Sequence, residues 1–196
     1  MGAVIVTGIP GVGKTTVMDA AAKSMGVPVV VFGSIMFEAA SAAGLVKSRD
    51  DMRKLPPERQ KEIQRVAATR IAVLGDVVVD THCSIKTPAG YLPGLPAWVL
   101  EELQPTAIVL VEADAADILH RRQADATRKR DEDTLAAIVE HQEYNRRFAA
   151  ACATLTGATV HTIQNREGAV EDAVRQMAPV FPRRPASPTP GIKGAR

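Results

Sequence analysis

The sequence has little that would staple the chain or anchor it. Two cysteines, Cys83 and Cys152, stand in 196 residues. Two thiols make no disulfide framework, and both are expected to be reduced. No apolar run approaches the roughly 20 residues that a membrane span needs. The opening MGAVIVTG lacks the charged segment and long apolar stretch of a signal peptide. Val6 stands where a myristoylation signal needs Ser or Thr. A soluble, cytoplasmic protein is the expectation. Charge of one sign is not in excess: the net formal charge is +2, so bulk charge gives no argument for nucleic acid. The guanine-specifying N-K-x-D motif is absent, which counts against a GTPase. The four histidines are scattered, and no second pair at zinc-ligand spacing accompanies His82 and Cys83, so no structural zinc is expected.

What is present is the composition of one globular domain, 46% hydrophobic and 23% charged, long enough for a full core. Residues 1–181 form that domain. Residues 182–196, PRRPASPTPGIKGAR, hold basic residues, prolines and no acid. A segment with so little apolar surface does not offset its own ordering entropy, so it reads as a disordered basic tail. Any contact with nucleic acid would run through it.

Short apolar runs alternate with helical stretches. Ala3 to Thr7 and Val27 to Phe32 read as buried strands, and Asp76 to Asp80, Thr106 to Val111 and Ala158 to Ile163 as further strands. Helices are expected over Lys14 to Met25, Pro57 to Leu74, from an Asp114 cap, over Thr134 to about Leu155, and over Glu167 to Ala178. In the second of these, Ile63, Val66, Ala67, Ile71 and Leu74 are predicted to share one buried face. The alternation predicts an α/β fold with a five-stranded parallel sheet covered by helices on both faces. The segment 34–75 carries no strand signal and reads as a helical insertion. The stretch GYLPGLP, Gly90 to Pro96, with two glycines and two prolines, is predicted as a stiff turning loop, neither helix nor strand.

GIPGVGKTT fits the phosphate-loop pattern G-x-x-x-x-G-K-[ST] through Gly8, Ile9, Pro10, Gly11, Val12, Gly13, Lys14, Thr15 and Thr16, with a strand before it and a helix after. Glycines let the backbone curl so that N–H groups converge on phosphate oxygens. The helix N-terminus adds partial positive charge, Lys14 reaches the β- and γ-phosphates, and Thr15 offers a hydroxyl to Mg²⁺. The motif specifies a nucleoside triphosphate and leaves the acceptor open. Asp80, at the end of a neighbouring strand, faces the same crevice and could orient water around Mg²⁺ or simply cap its loop. Arg49, Arg53 and Lys54 in the insertion suit an anionic acceptor, although taken alone they read as a solvated face. The run Arg121, Arg122, Arg128, Lys129, Arg130, at about 121–134, reads either as a cationic lid or as a charged helix-to-helix turn.

Together GIPGVGKTT, FGSIMFE, RDDMRKL, VVVDTHCSIKTPAGYLPGLP, RRQADATRKRD, EHQEYNR and LTGATVHTIQN resemble archaeal-type adenylate kinase, in order, from residue 1 to about 180. The resemblance implies a P-loop kinase with a helical monophosphate-binding insertion and a short lid. It implies the reaction ATP + AMP ⇌ 2 ADP with Mg²⁺, in a cytoplasmic homotrimer. It also assigns residues. The loop Gly8 to Thr16 takes ATP, Arg53, Lys86, Tyr91 and Arg146 take AMP, and Lys14, Asp80, Arg121, Arg128 and Arg130 serve transfer. Tyr91 would line the adenine pocket, though plain core packing accounts for it as well. Two positions depart from the pattern. Some members carry a third glycine at position 14, and a small hydroxyl residue is expected at Cys83. The rival readings are another small P-loop kinase and an ATP-switched factor that binds RNA or protein.

Overall fold

The computed structural model of the chain describes residues 2–124 and 134–181. Arg128, Arg130 and the whole basic tail lie outside these residues.

Strand β1 (Val4–Thr7) and helix α1 (Lys14–Met25) flank the glycine-rich loop. Then come β2 (Val29–Val31), α2 (Phe32–Ala42), a 3₁₀ turn (Asp50–Lys54), α3 (Pro57–Ala72) and β3 (Val78–Asp80). A hairpin of β4 (Ser84–Thr87) and β5 (Gly90–Pro93) leads to α4 (Ala97–Leu103) and β6 (Ala107–Glu112). The chain closes with α5 (Ala115–Ala124), α6 (Leu135–Thr156), β7 (Thr159–Gln164) and α7 (Val170–Met177).

The main sheet has the order β2-β3-β1-β6-β7, with every pairing parallel. Alternate residues of a strand face opposite sides, and the central strands bury both. Ile5, Val79, Ile108 and Leu110 pack with Ile71 of α3, Val99 of α4 and Cys152 of α6. Val4, Val6, Val78, Val109 and Val111 pack with Val17 of α1, Ile118 of α5 and Met177 of α7. A third, smaller cluster around Ala40, Val46 and Ile63 joins α2 to α3 within the insertion. Registers of Val6 with Asp80 and of Thr7 with Leu110 bring the C-terminal ends of β3, β1 and β6 side by side. In an open parallel sheet this end is where ligands bind.

Three expectations need correction. The second strand is neither as long nor as buried as its apolar run implies: it holds three residues, Phe32 begins α2, and Val29 and Val31 are 37% and 45% exposed. It is an edge strand, so only one flank is covered. On α3, Ile63, Ala67 and Ile71 are buried, whereas Val66 is 44% and Leu74 54% exposed. Val66 falls off the stripe, and Leu74 follows the last helical residue. Finally, Gly90 to Pro93 is a strand. Lys86 stands opposite Tyr91 and Ile85 opposite Leu92 in an antiparallel ladder. Thr87 Oγ1 closes the turn by donating to Gly90 O at 2.8 Å. Pro93 is accommodated because it ends its strand. Asp114 does cap α5, accepting from Ala116 N at 2.8 Å, and Thr134, expected as a helix start, caps α6, accepting from Ala137 N at 3.1 Å.

Candidate active site

The loop between β1 and α1 is shaped by its glycines. Gly11 and Gly13 hold φ of 90° and 82°, a region open to glycine and costly for other residues. A side chain on Gly8 would strike the Val111 carbonyl. Gly13 is also the N-cap of α1, so the positive end of that helix's dipole faces the loop.

The segment after β3 is laced to this loop. Thr81 N donates to Val6 O at 3.1 Å, and Cys83 N donates to Thr7 Oγ1 at 2.8 Å. His82 Nδ1 lies 3.2 Å from Gly8 O. Lys14 Nζ donates to Thr81 O at 2.7 Å and is hydrogen-bonded to the Asp80 carboxylate. Burial pulls the Lys14 ammonium below its usual range, and the Asp80 carboxylate opposes that shift. Sequence reasoning placed Lys14 and Asp80 on one crevice; it did not foresee that they would bind each other.

A cleft of about 960 Å³ opens from this point. Gly11, Gly13, Lys14, Thr15 and Thr16 form one wall and Arg121 stands beside them; Phe32 at the start of α2 with Met36, Arg49, Arg53 and Gln64 of the insertion form another, with Asp80 between the two. Its size is at the upper end for small-molecule sites. Arg49 is held over the Phe37 ring at 5.5 Å and donates to Ser34 Oγ at 2.9 Å. The cleft therefore offers backbone amides and a lysine at one end and arginines with apolar contacts at the other. That arrangement suits two anionic partners meeting near Lys14. Thr15 and Asp80 supply hard oxygen atoms on its wall, the donor type a magnesium ion prefers.

Other predicted residues stand elsewhere. Arg146 makes a bidentate pair with the buried Glu112, at 2.6 Å and 2.9 Å, and a further bond to Glu143 at 3.3 Å. Glu112 also accepts from Gln164 Nε2 at 3.3 Å. Tyr91 stacks on Tyr144, with ring centres 4.1 Å apart, and lies 5.1 Å from His141. Its hydroxyl donates to Glu140 at 3.1 Å, and burial together with that carboxylate pushes its pKa up to about 12. Lys86, its neighbour across the hairpin, is exposed. The residues around the cleft include neither Tyr91, Lys86 nor Arg146. Cys83 and Cys152 are free thiols buried in one core cluster, and contact with Cys152 together with burial pushes the Cys83 thiol up.

Arg121 and Arg122 lie against the glycine-rich loop. Arg121 pairs with Glu167 at 2.7 Å, and its Nη1 donates to Val12 O at 3.3 Å. Arg122 donates to Pro10 O from Nε at 2.8 Å and from Nη2 at 2.6 Å. Sequence reasoning gave no role to Asn165, whose Nδ2 donates to Val12 O at 2.7 Å. The available signal was its position directly after the last strand, at the ligand-facing end of the sheet. Among the described residues, no group of three or more His, Cys, Asp or Glu gathers to hold a metal ion.

A family model described as AAA domain matches residues 7–139. The chain is 56% identical over 183 residues to an adenylate kinase of Methanopyrus kandleri, covering 90% of this chain and 96% of that protein. It is 52% identical over 177 residues to an adenylate kinase of Thermoplasma acidophilum, covering 90% and 97%. For an adenylate kinase of Methanothermobacter thermautotrophicus the identity is 52% over 184 residues, covering 92% and 100%. Among solved structures, a shikimate kinase from Bacteroides thetaiotaomicron aligns at a TM-score of 0.59 with 17% identity, covering 91% of this chain and 97% of that one. A shikimate kinase from Acinetobacter baumannii aligns at 0.54 with 16% identity, covering 92% of each chain. These two likenesses concern the fold alone.

Proposed function

The chain belongs to the adenylate kinase family and is a phosphotransferase, and from that premise we propose that it transfers the γ-phosphoryl group of ATP to AMP, giving two ADP. The observation that carries this reading is the continuous cleft from the glycine-rich loop to Arg53 of the insertion. ATP sits with its phosphates on the amides of Gly8 to Thr16, and AMP lies under the segment 34–75. Lys14 leaves Asp80 for the β- and γ-phosphates. Thr15 and Asp80 would hold Mg²⁺, directly or through water, and the ion would neutralise phosphate charge.

An AMP phosphate oxygen bonds to the γ-phosphorus as the bond from that phosphorus to the β-phosphate oxygen breaks. The attacking oxygen is already ionised, so no general base is needed. Positioning and cationic contacts then carry the rate. Arg121 contributes from the donor side, with Arg128 and Arg130 in a lid of about 121–134. On the acceptor side the proposal includes Arg53, Lys86, Tyr91 and Arg146. The last three reach AMP only if the hairpin and α6 close over it and Arg146 exchanges Glu112 for phosphate. The proposal extends to a homotrimer in the cytoplasm, with the tail 182–196 outside the catalytic domain. No helix among the described residues is long and apolar enough to cross a membrane.

A coupled assay with ATP and each of AMP, CMP, UMP, GMP and shikimate tests the reading. Rapid ADP formation dependent on AMP is expected. ATP turnover that ignores the acceptor, or that requires shikimate, contradicts it. Light scattering on the eluted protein reports whether a trimer forms.

A further inference from the structure

Phosphate loops bind through backbone N–H groups, so something must hold the loop's carbonyls the other way. In a trans peptide the C=O of one residue and the N–H of the next point in opposite directions. Whatever fixes the Val12 carbonyl therefore also fixes the Gly13 N–H, and Gly13 lines the cleft. Three side chains from outside the loop perform this task. Arg122 takes Pro10 O, Arg121 takes Val12 O, and Asn165 takes Val12 O by the shortest bond to that atom, 2.7 Å.

Asn165 differs from the two arginines. It is 4% exposed, and its second amide atom, Oδ1, is buried with no hydrogen-bond partner. Turning the amide over would set Oδ1 against the Val12 carbonyl, so the orientation with Nδ2 as donor is forced. A buried acceptor without a partner is costly, and an apolar side chain of similar shape would avoid that cost. The amide is thus explained by its donor. Gly13 fits the same account: a Cβ there would overlap Asn165 Nδ2. The glycine permits close approach of the amide as well as its own φ of 82°.

We propose that Asn165 is a positioning residue for the triphosphate donor: its amide holds the Val12 carbonyl outward and so aims the Gly13 N–H at phosphate. The inference rests on the donor site of the proposed function. Its effect is on the phosphate loop alone, and the acceptor end of the cleft, lined by Arg53 and Gln64, is not touched.

The test uses inorganic tripolyphosphate and AMP as separate calorimetric probes on the full chain. Asn165→Leu, which fills the space without a donor, is expected to bind tripolyphosphate about tenfold more weakly or worse, with AMP affinity unchanged. Asn165→Asp keeps the shape and adds a switch. As a carboxylate it repels the Val12 carbonyl, and once protonated it donates to it. Its tripolyphosphate deficit relative to the unaltered chain at the same pH should therefore shrink on going from about pH 8 to about pH 5.5.

A purely space-filling role predicts normal binding in Asn165→Leu and no such recovery in Asn165→Asp. Either result overturns the inference. If Asn165→Leu fails to fold, the pH dependence of Asn165→Asp decides alone. An unaltered chain that takes no tripolyphosphate would overturn the donor site itself, and this inference with it. An unaltered chain that binds tripolyphosphate while Asn165→Leu binds it equally overturns the inference and leaves the donor site standing.

Discussion

The Lys14 ammonium is bound to the Asp80 carboxylate and to the Thr81 carbonyl, across the boundary between β1 and β3. Both side chains are largely buried, at 10% and 15% exposure. Under the proposed function, incoming phosphate must win the lysine from a partner and Asp80 must find another cation, a need that a magnesium ion carried in with ATP would meet. Lys14→Ala is expected to lower kcat/KM by on the order of 10²- to 10³-fold while remaining folded by circular dichroism. Its melting temperature should fall, because the Asp80 carboxylate is left without its partner. Activity within about twofold of the unaltered chain would show that phosphate is bound elsewhere.

A reporter lies beside the end of the cleft proposed to take the acceptor. Trp98, the one tryptophan in the chain, donates from Nε1 to Gln64 Oε1 at 2.9 Å, and Lys61 stands 4.7 Å over its ring. Gln64 and Arg53 both line the cleft. AMP should therefore change Trp98 fluorescence, and ATP should do so far less. Arg53→Ala should shift the AMP titration about tenfold or more to higher concentration, the usual scale of a lost charged hydrogen bond, with KM for ATP unchanged. An equal shift in both nucleotides would mean that Arg53 acts on the fold, not on the acceptor.

His141 makes stability pH-dependent. It is buried in the second turn of α6, and burial pulls its pKa below the usual value. The nearby charges of Arg122, Lys86 and His82 act in the same direction, and a hydrogen bond with the Ser84 backbone opposes them. The unfolded chain takes up the proton first, at about pH 6.5. Stability is therefore unaffected by this group above that value and falls as pH drops from there toward the lowered folded value. Denaturant midpoints measured from about pH 7.5 to 5 should show the decline, and His141→Gln should flatten it. An equally steep decline in His141→Gln would assign it to other groups.

The parts of the molecule written in local sequence were legible before any coordinates. Gly8, Gly13 and Lys14 announce their loop because spacing and the strand-to-helix setting are contiguous. Thr134 and Asp114 announce helix starts because a cap acts within three residues. The hairpin was hidden because Pro93, Gly94 and Pro96 carry loop chemistry, whereas the ladder that makes Gly90–Pro93 a strand comes from pairing with Ser84–Thr87. Edge position is equally invisible: Val29 and Val31 look like core residues until the strand order is known. The bond from Asn165 to Val12 spans 153 residues of sequence and leaves no periodic trace. The pairing of Lys14 with Asp80 likewise depends on β3 lying beside β1.

The central claim is that two adenine nucleotides meet end to end in one cleft, with Lys14 at the junction. Diadenosine pentaphosphate joins both nucleotides in a single molecule, and calorimetry with kinetic competition tests the claim most directly. The account predicts one molecule bound per chain, inhibition competitive against both ATP and AMP, and loss of that binding in Lys14→Ala. Two molecules bound independently per chain, or inhibition that competes with ATP and ignores AMP, would contradict it.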